Sequence, residues 1–475
     1  MSEQSGRLAA GVLLPGFIGT SPPGWLVEAI GDGLAGVVYF GHNIADQAQL
    51  AALSSQLHAL RAGLLIAVDE EGGDVTRLHV GAGSSHPGHA ALGVVDDLAA
   101  TAAVAGGIGR ELRTAGVDLN LAPCVDVNSD PANPVIGVRS FGSDPRLVAR
   151  HAAAFVEGLQ EAGVAACAKH FPGHGGTRTD SHVTLPVIDA DLATLRARDL
   201  PPFASAIAAG ARCVLTAHIR FTAVDSAPAT VSPAVTALLR DELGFDGVVL
   251  TDALDMRAIT ARFGLAGGAV AALAAGADLL CIGNPANEAG RGDGRAELDL
   301  VWRAIVDAVR TGELPEQRLR EANARVAELA GWVRAAKERP VPALPPTLGL
   351  EVARRALRVT GDVLLAGPPE VVDLRRHVNR AAGRNSAVLL DVLHRRAPAG
   401  AGAGRPVVLV DEPQRDPAVT DELHALLHRH PGAVVVATGW PDPSVDLGGN
   451  VVRTFGNARV NAEAAADVLF GSVGA

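Results

Sequence analysis

Lysine is almost missing from this chain. Of its 41 lysine and arginine residues, only Lys169 and Lys337 are lysines. Lys337 falls in the linker-like stretch A-A-K-E-R-P. Lys169 lies in the crowded segment A-C-A-K-H-F-P-G-H-G-G-T-R-T-D-S-H, where a compact ammonium in place of a planar guanidinium points to a special need. Long basic blocks are missing too, and the formal net charge is −11. That excludes nucleic acid and an anionic membrane surface as main partners. No uninterrupted apolar run approaches the ~18 residues of a membrane span. The N-terminal stretch M-S-E-Q-S-G-R-L-A-A-G-V-L-L-P-G-F has no charged segment followed by a long apolar one, so a cytoplasmic protein is expected. Cys124, Cys167, Cys213 and Cys281 each sit in an apolar, strand-like run, with no CxxC pair. Buried free thiols are expected, rather than disulfides or zinc ligands.

What is present is an alternation of strands and helices. Hydrophobic residues make up 48% of 475, enough for a large core. Strands are expected near 11–14, 36–40, 64–69, 118–126, 166–171, 213–219, 247–252 and 278–283. Helices are expected near 97–115, 145–162, 191–210, 233–243, 265–276 and 299–335. Apolar strands alternating with helices mean a parallel sheet covered by helices, and eight of them suggest a (β/α)8 barrel. Asp69, Asp126, Lys169, His170, His218 and Asp252 each stand at or near the end of such a strand. A barrel gathers those ends into one mouth, whereas an open sheet spreads them along an edge.

The reading is therefore a barrel over 1–335, a Pro-rich linker over 336–350 and a smaller α/β domain over 351–475. In that last part, strands are expected in V-L-L-A-G (363–367), A-V-L-L-D-V-L (387–393), R-P-V-V-L-V-D-E (405–412) and A-V-V-V-A-T-G-W (433–440). Helices are expected near 369–380, 418–429 and 461–470, and 397–406 reads as a flexible low-complexity loop.

Several residues could carry chemistry. His170 and His174 are four apart, but Phe171-Pro172-Gly173 breaks any helix between them, which weakens a helical metal motif. In Asp180-Ser181-His182 a carboxylate two residues from an imidazole can fix its tautomer and raise its basicity. Such a dyad gives a proton and later takes one. Asp252, ending the run G-V-V-L-T-D, could act as nucleophile or base, or hold a cation. Asp69, beside Gly72-Gly73, could bond substrate hydroxyls, while Glu70 and Glu71 read as a solvated turn. Arg139, set between apolar residues, fits a guanidinium aimed at substrate oxygens and equally a structural salt bridge.

The motif K-H-F-P-G-H-G-x4-D-S-H, with T-D-A-L-D-M downstream and D-E-E-G-G and N-P-V-I-G-V-R-S-F-G upstream, resembles glycoside hydrolase family 3. It is most similar to its bacterial β-N-acetylglucosaminidase subgroup. The resemblance runs from residue 10 to 290 with the motifs in order; G-V-V-Y-F-G-H-N-I and P-A-T-V-S-P are further landmarks. It implies Asp252 as the nucleophile of a retaining mechanism, His182 as acid/base and Asp180 as the group polarising it. It also implies that Asp69, Arg139, Lys169 and His170 hold the sugar hydroxyls. The usual pair of carboxylates is then replaced by one carboxylate and one histidine. Two positions depart from the family pattern: Asp74 stands where many members carry arginine, and A-L-D-M replaces D-L-S-M.

The expected activity is an exo-acting β-N-acetylglucosaminidase on cell-wall (GlcNAc-anhydroMurNAc) or chitin-derived oligosaccharides, with no metal and no organic cofactor. A carbohydrate is the partner, with inorganic phosphate as an alternative acceptor, because a neutral imidazole would not repel the anion as a carboxylate would. A β-glucosidase of the same family is another alternative. Two further rivals are a metallohydrolase using His170, His174 and Asp252, and an inactive sugar-binding protein keeping Asp69, Arg139 and Lys169.

Overall fold

The structure is a computed structural model that describes residues 3–181, 184–287, 292–341, 343–376, 387–397 and 404–471. Eight short strands build the barrel wall of its first part, apart from a small separate pair at Val187–Ile188 and Arg220–Phe221: β1 (Leu13–Pro15), β2 (Gly36–Tyr39), β3 (Leu65–Val68), β4 (Leu119–Asn120), β5 (Ala165–Phe171), β6 (Cys213–Thr216), β7 (Val248–Thr251) and β8 (Leu280–Gly283). β2 to β7 make one parallel ladder in chain order, and β1 pairs in parallel with β8. The bridge Leu250–Leu279 joins β7 to the start of β8, and Ala35 N donates to Ala10 O ahead of β1 and β2. The sheet thus curls into the expected barrel.

These strands are apolar on both faces because both faces are covered. Ile66, Val68, Ala168, Val214 and Val249 look outward and pack with the helices, while Leu65, Ala67, Cys167, Cys213, Leu215 and Leu250 form an inner cluster. Helix Glu316–Lys337 adds Val326, Leu329 and Val333 to that inner cluster. It crosses the N-terminal ends of the strands, where Lys337 pairs with Asp118, ahead of β4, and Arg325 with Asp278, ahead of β8. The barrel floor is closed this way, so only the C-terminal mouth is free for a site. The expected helix over 299–335 is in fact two, Arg295–Thr311 and Glu316–Lys337. Gly312, at φ +80°, ends the first, and Pro315 begins the second.

Beyond the barrel lies a second sheet: β9 (Arg358–Thr360), β10 (Glu370–Asp373), β11 (Pro406–Val410), β12 (Val434–Ala437) and β13 (Val451–Arg453). Its order is β9-β13-β12-β11-β10, parallel except for the β9–β13 pair. Here three local expectations fail. The stretch 387–393 is not a strand but part of helix Ala387–Arg396. Val388, Leu389, Val392 and Leu393 are its buried residues, and their i, i+1, i+4, i+5 spacing is helical. Conversely, 370–373, expected in a helix, is edge strand β10, and 377–386 lies outside the described residues. V-L-L-A-G forms no strand; Leu365 N instead donates to Leu469 O at the end of helix Arg459–Phe470. Most of the low-complexity loop, 398–403, also lies outside the described residues. No described helix is long and apolar enough to cross a membrane.

Candidate active site

The strand ends deliver their polar residues to one mouth, as the alternation requires. Asp69 follows β3, and Lys169 and His170 belong to the long strand β5, whose pairing with β6 slips between Lys169 and Phe171. Arg139 comes from the loop after β4, in a short 3-10 turn over Gly137–Arg139. That turn is held by Asn128, whose Oδ1 accepts from Gly137 N at 3.2 Å.

The side chains form one continuous chain of charge. Lys169 Nζ lies 2.6 Å from Asp69 Oδ1 and 2.8 Å from Glu71 Oε1. Glu71 in turn takes Arg139 in a fork, Nη2 to Oε1 at 2.7 Å and Nε to Oε2 at 3.0 Å. Arg139 Nη2 stands 3.3 Å from His170 Nε2, and His170 Nδ1 stands 2.7 Å from Asp126 Oδ2. This network assigns the proton to Nδ1, donated to the carboxylate, and leaves Nε2 to accept from the guanidinium. Asp126 also accepts from the backbone N–H of His174. Every side chain of the chain is nearly enclosed, from 0% exposed for Asp126, except Asp69 at its end, which is 22% exposed. Its open end therefore faces the mouth.

Burial raises the cost of each of these charges, and the partners outweigh it. Glu71 is pushed up by burial, yet Arg139 and Lys169 hold it well below the usual carboxylate range. Asp126, also opposed by burial, is drawn down to about 2 by His170 and His174. Burial lowers Lys169 and Arg139, but the carboxylates beside them win and raise both. All four are ionised at neutral pH. His174 is different: burial and the neighbouring His170 lower it to about 4, so its ring is neutral.

Asp252 ends β7 as expected; its N donates to Thr216 O at 3.1 Å, and its Oδ1 accepts from Ala253 N at 2.7 Å. Burial pushes up the Cys281 thiol, and Asp255, Asp252 and Asp69 add to the rise. Asp252, just after β7, and Asp69, just after β3, both stand at the C-terminal strand ends that open into the mouth. His182 lies outside the described residues. Asp180 is half-buried, and Ser181 Oγ lies 3.2 Å from His174 Nε2, which ties this loop to the floor of the site. His218 is buried, with Nδ1 2.7 Å from Thr230 Oγ1 and Nε2 2.9 Å from Ala253 O. It braces the turn after Asp252.

The solvated turn expected at Glu70 and Glu71 is a buried one. Glu70 Oε2 accepts from Thr76 Oγ1, Arg77 N and Leu78 N, which pins the loop, and Glu71 is the counter-ion shared by Lys169 and Arg139. Arg139 accordingly is a structural salt bridge, and one built into the site. Acidic residues at a strand end followed by two glycines were the available signal. Gly73, at φ +60°, lies so close to Gly88 that a Cβ would stand 2.5 Å from its Cα, and this turns the loop inward.

The ligand set His170, His174 and Asp252 does not fit a metal ion. His170 already uses both ring nitrogens, and His174 sets Nδ1 against Thr177 Oγ1 and Nε2 against Ser181 Oγ. The Arg139 cation next to His170 Nε2 would also repel one. Cys124, Asp126 and His170 lie close enough for a common ion. Cys124 Sγ, however, stands 3.1 Å from Asp126 Oδ2 as a donor, and burial keeps its thiol protonated. All four cysteines are free and buried.

Comparison with known proteins agrees with this geometry. Residues 27–329 match the model of the glycosyl hydrolase family 3 N-terminal domain. The chain is 37% identical over 320 residues to β-hexosaminidase A of Pseudoalteromonas piscicida, a match covering 62% of this chain and 53% of that relative. It is 36% identical over 343 residues to a β-hexosaminidase of Chromobacterium violaceum, covering 70% of this chain and 90% of the relative. Among solved structures, a family 3 β-N-acetylglucosaminidase from Paenibacillus sp. FPU-7 superposes with a TM-score of 0.85 at 30% identity, covering 98% of this chain and 97% of the other. The barrel, its charged mouth and these likenesses converge: the chain is a glycoside hydrolase and belongs to glycosyl hydrolase family 3.

Proposed function

We propose that the protein is a retaining exo-β-N-acetylglucosaminidase. The observation that carries this reading is the chain Asp69–Lys169–Glu71–Arg139–His170–Asp126, which ends in the mouth it shares with Asp252. Each of its buried charges already has a partner within the chain, so it offers fixed donors and acceptors for sugar hydroxyls. The names of the relatives, β-hexosaminidase and β-N-acetylglucosaminidase, support an N-acetylated hexose as the sugar.

In this reading an Asp252 oxygen attacks the anomeric carbon while the bond to the leaving oxygen breaks. His182, polarised by Asp180, gives that oxygen its proton. Water then attacks the anomeric carbon as His182 takes a proton from it, the bond to Asp252 breaks, and the sugar leaves with its configuration retained. Fragments of cell wall or chitin are the proposed substrates.

Product analysis with an aryl β-N-acetylglucosaminide, with and without phosphate, tests the reading. Free GlcNAc in both buffers is expected. GlcNAc-1-phosphate in the phosphate buffer would change the acceptor and keep the residues. Asp252→Ala should abolish turnover, and substantial residual turnover would overturn the nucleophile. His182→Ala should slow natural disaccharides far more than aryl glycosides, whose leaving groups need little protonation; equal losses on both would remove His182 as the acid.

A further inference from the structure

The two loops that carry Asp69, Glu71 and Arg139 are covered from outside the barrel. Asp74, three residues after Glu71, accepts through Oδ1 from the backbone N–H of Asn457 at 2.6 Å. Val138, next to Arg139, packs in an apolar cluster with Trp440 and Phe455. At Gly137 (φ +47°) a Cβ would stand 2.7 Å from Glu412 Oε1, so that carboxylate lies directly on the turn that aims Arg139. Asn457, Phe455, Trp440 and Glu412 all belong to loops around the second sheet.

Those loops are held rigid for the purpose. Phe455 sits in the left-handed region at φ +55°, a conformation costly for a bulky residue and kept only where the surroundings over-determine it. The surroundings are Asn461, whose Nδ2 donates to Thr454 O at 2.7 Å, and Thr454, whose Oγ1 donates to Gly456 O at 2.8 Å. Arg375 Nη1 donates to Asn457 Oδ1 at 2.9 Å and steadies the far side.

We infer that the second domain sets the position of the sugar-binding charges, with Asp74 and Phe455 as positioning residues acting through Glu71 and Arg139. Asp74 grips the loop after β3 and Phe455 the turn before Ser140, so one rigid loop over 454–457 keeps two loops of the mouth in register. The inference rests on the proposed role of those charges in binding the sugar. A misplacement of about 1 Å at such groups is enough to cost a hundredfold in rate.

The test combines amide hydrogen exchange with kinetics on an aryl β-N-acetylglucosaminide, using the full chain. Asp74→Ala and Phe455→Ala should speed exchange about tenfold or more in 70–76 and 136–141 and leave the helix Pro145–Glu161 unchanged. Asp74→Asn, which keeps the acceptor, should restore the wild-type pattern. Both alanine variants should lower kcat/KM about tenfold or more, but the loss from Phe455→Ala should shrink to about twofold or less in an Arg139→Ala background, because its effect passes through that residue. Unchanged exchange in both segments, with each variant folded by its unfolding midpoint, overturns the inference. So does an undiminished loss of kcat/KM from Phe455→Ala in the Arg139→Ala background. If the wild-type enzyme fails to turn over the sugar, the proposed substrate falls, and the exchange pattern still decides the positioning role.

Discussion

Two groups of enclosed acids in this molecule have opposite fates. In the barrel mouth, Glu71 and Asp126 are buried and ionised, because Arg139, Lys169 and His170 stand within hydrogen-bond distance. Where the second domain meets the barrel, burial pushes Asp74 and Asp411 up and raises Glu412 to about 7. Arg415, 2.8 Å from Glu412, and Arg375 counter this only in part, and Asp411 adds to the rise of both Asp74 and Glu412. The first group keeps its charge beside cations and hydrogen-bond donors, and the second is partly neutralised by protons. Removing a buried carboxylate should therefore have very different consequences in the two places.

The sharpest way to break this comparison is Glu71→Gln. It leaves the buried Arg139 without its carboxylate and Lys169 with Asp69 alone, and the loss in unfolding free energy should be about 3–5 kcal/mol, with activity abolished. Urea unfolding and a turnover assay check both; a loss below about 1 kcal/mol would mean that the mouth is not held by its ion pairs. Asp126→Asn should cost less, about 1–3 kcal/mol, because an amide still accepts from His174 N–H and only the bond to His170 is weakened. The smallest effect belongs to Glu412→Gln, about 0.5 kcal/mol or less near neutral pH, since a neutral group already suits that position. A cost equal to that of Glu71→Gln would show an ionised Glu412 and end the contrast.

The same contrast should appear in the pH dependence of stability. Glu412 has a folded value of about 7, above the ~4.3 of an unfolded glutamate, so between these the folded state holds the extra proton. Its contribution is present below the lower value, falls as pH rises through that window and is gone above about 7. The wild type should lose stability from pH 5.5 to 8 by this route, and Glu412→Gln should lose less. Asp126 has the opposite sign: its contribution is complete above ~3.9 and disappears only as pH falls through about 2. Parallel pH curves for wild type and Glu412→Gln would refute the first assignment.

The barrel was legible because its signal is local and repeated. Each strand is an apolar run, most end at or near a polar residue, and only closure brings those ends together. The second sheet was less legible. A-V-L-L-D-V-L satisfies a strand by its apolar density and a helix by its spacing, and tertiary packing chose the helix. Glu71 was missed for a related reason. A run of two acids before two glycines looks like a solvated turn until the turn is folded inward beneath Gly88. Asp74, a departure from the family pattern, gained its meaning only from Asn457, 383 residues away.

The sequence by itself determined the rhythm of strands and helices and the kinds of group delivered to the mouth, because both follow from neighbours a few residues apart. Which acid meets which cation was decided by the tertiary structure alone. Glu71 and Arg139 are 68 residues apart, and Lys169 is 100 from Asp69. Pairing across such separations depends on the closed barrel and the domain laid against it. Those partners, set against burial, then decide whether each carboxylate keeps its charge or takes a proton.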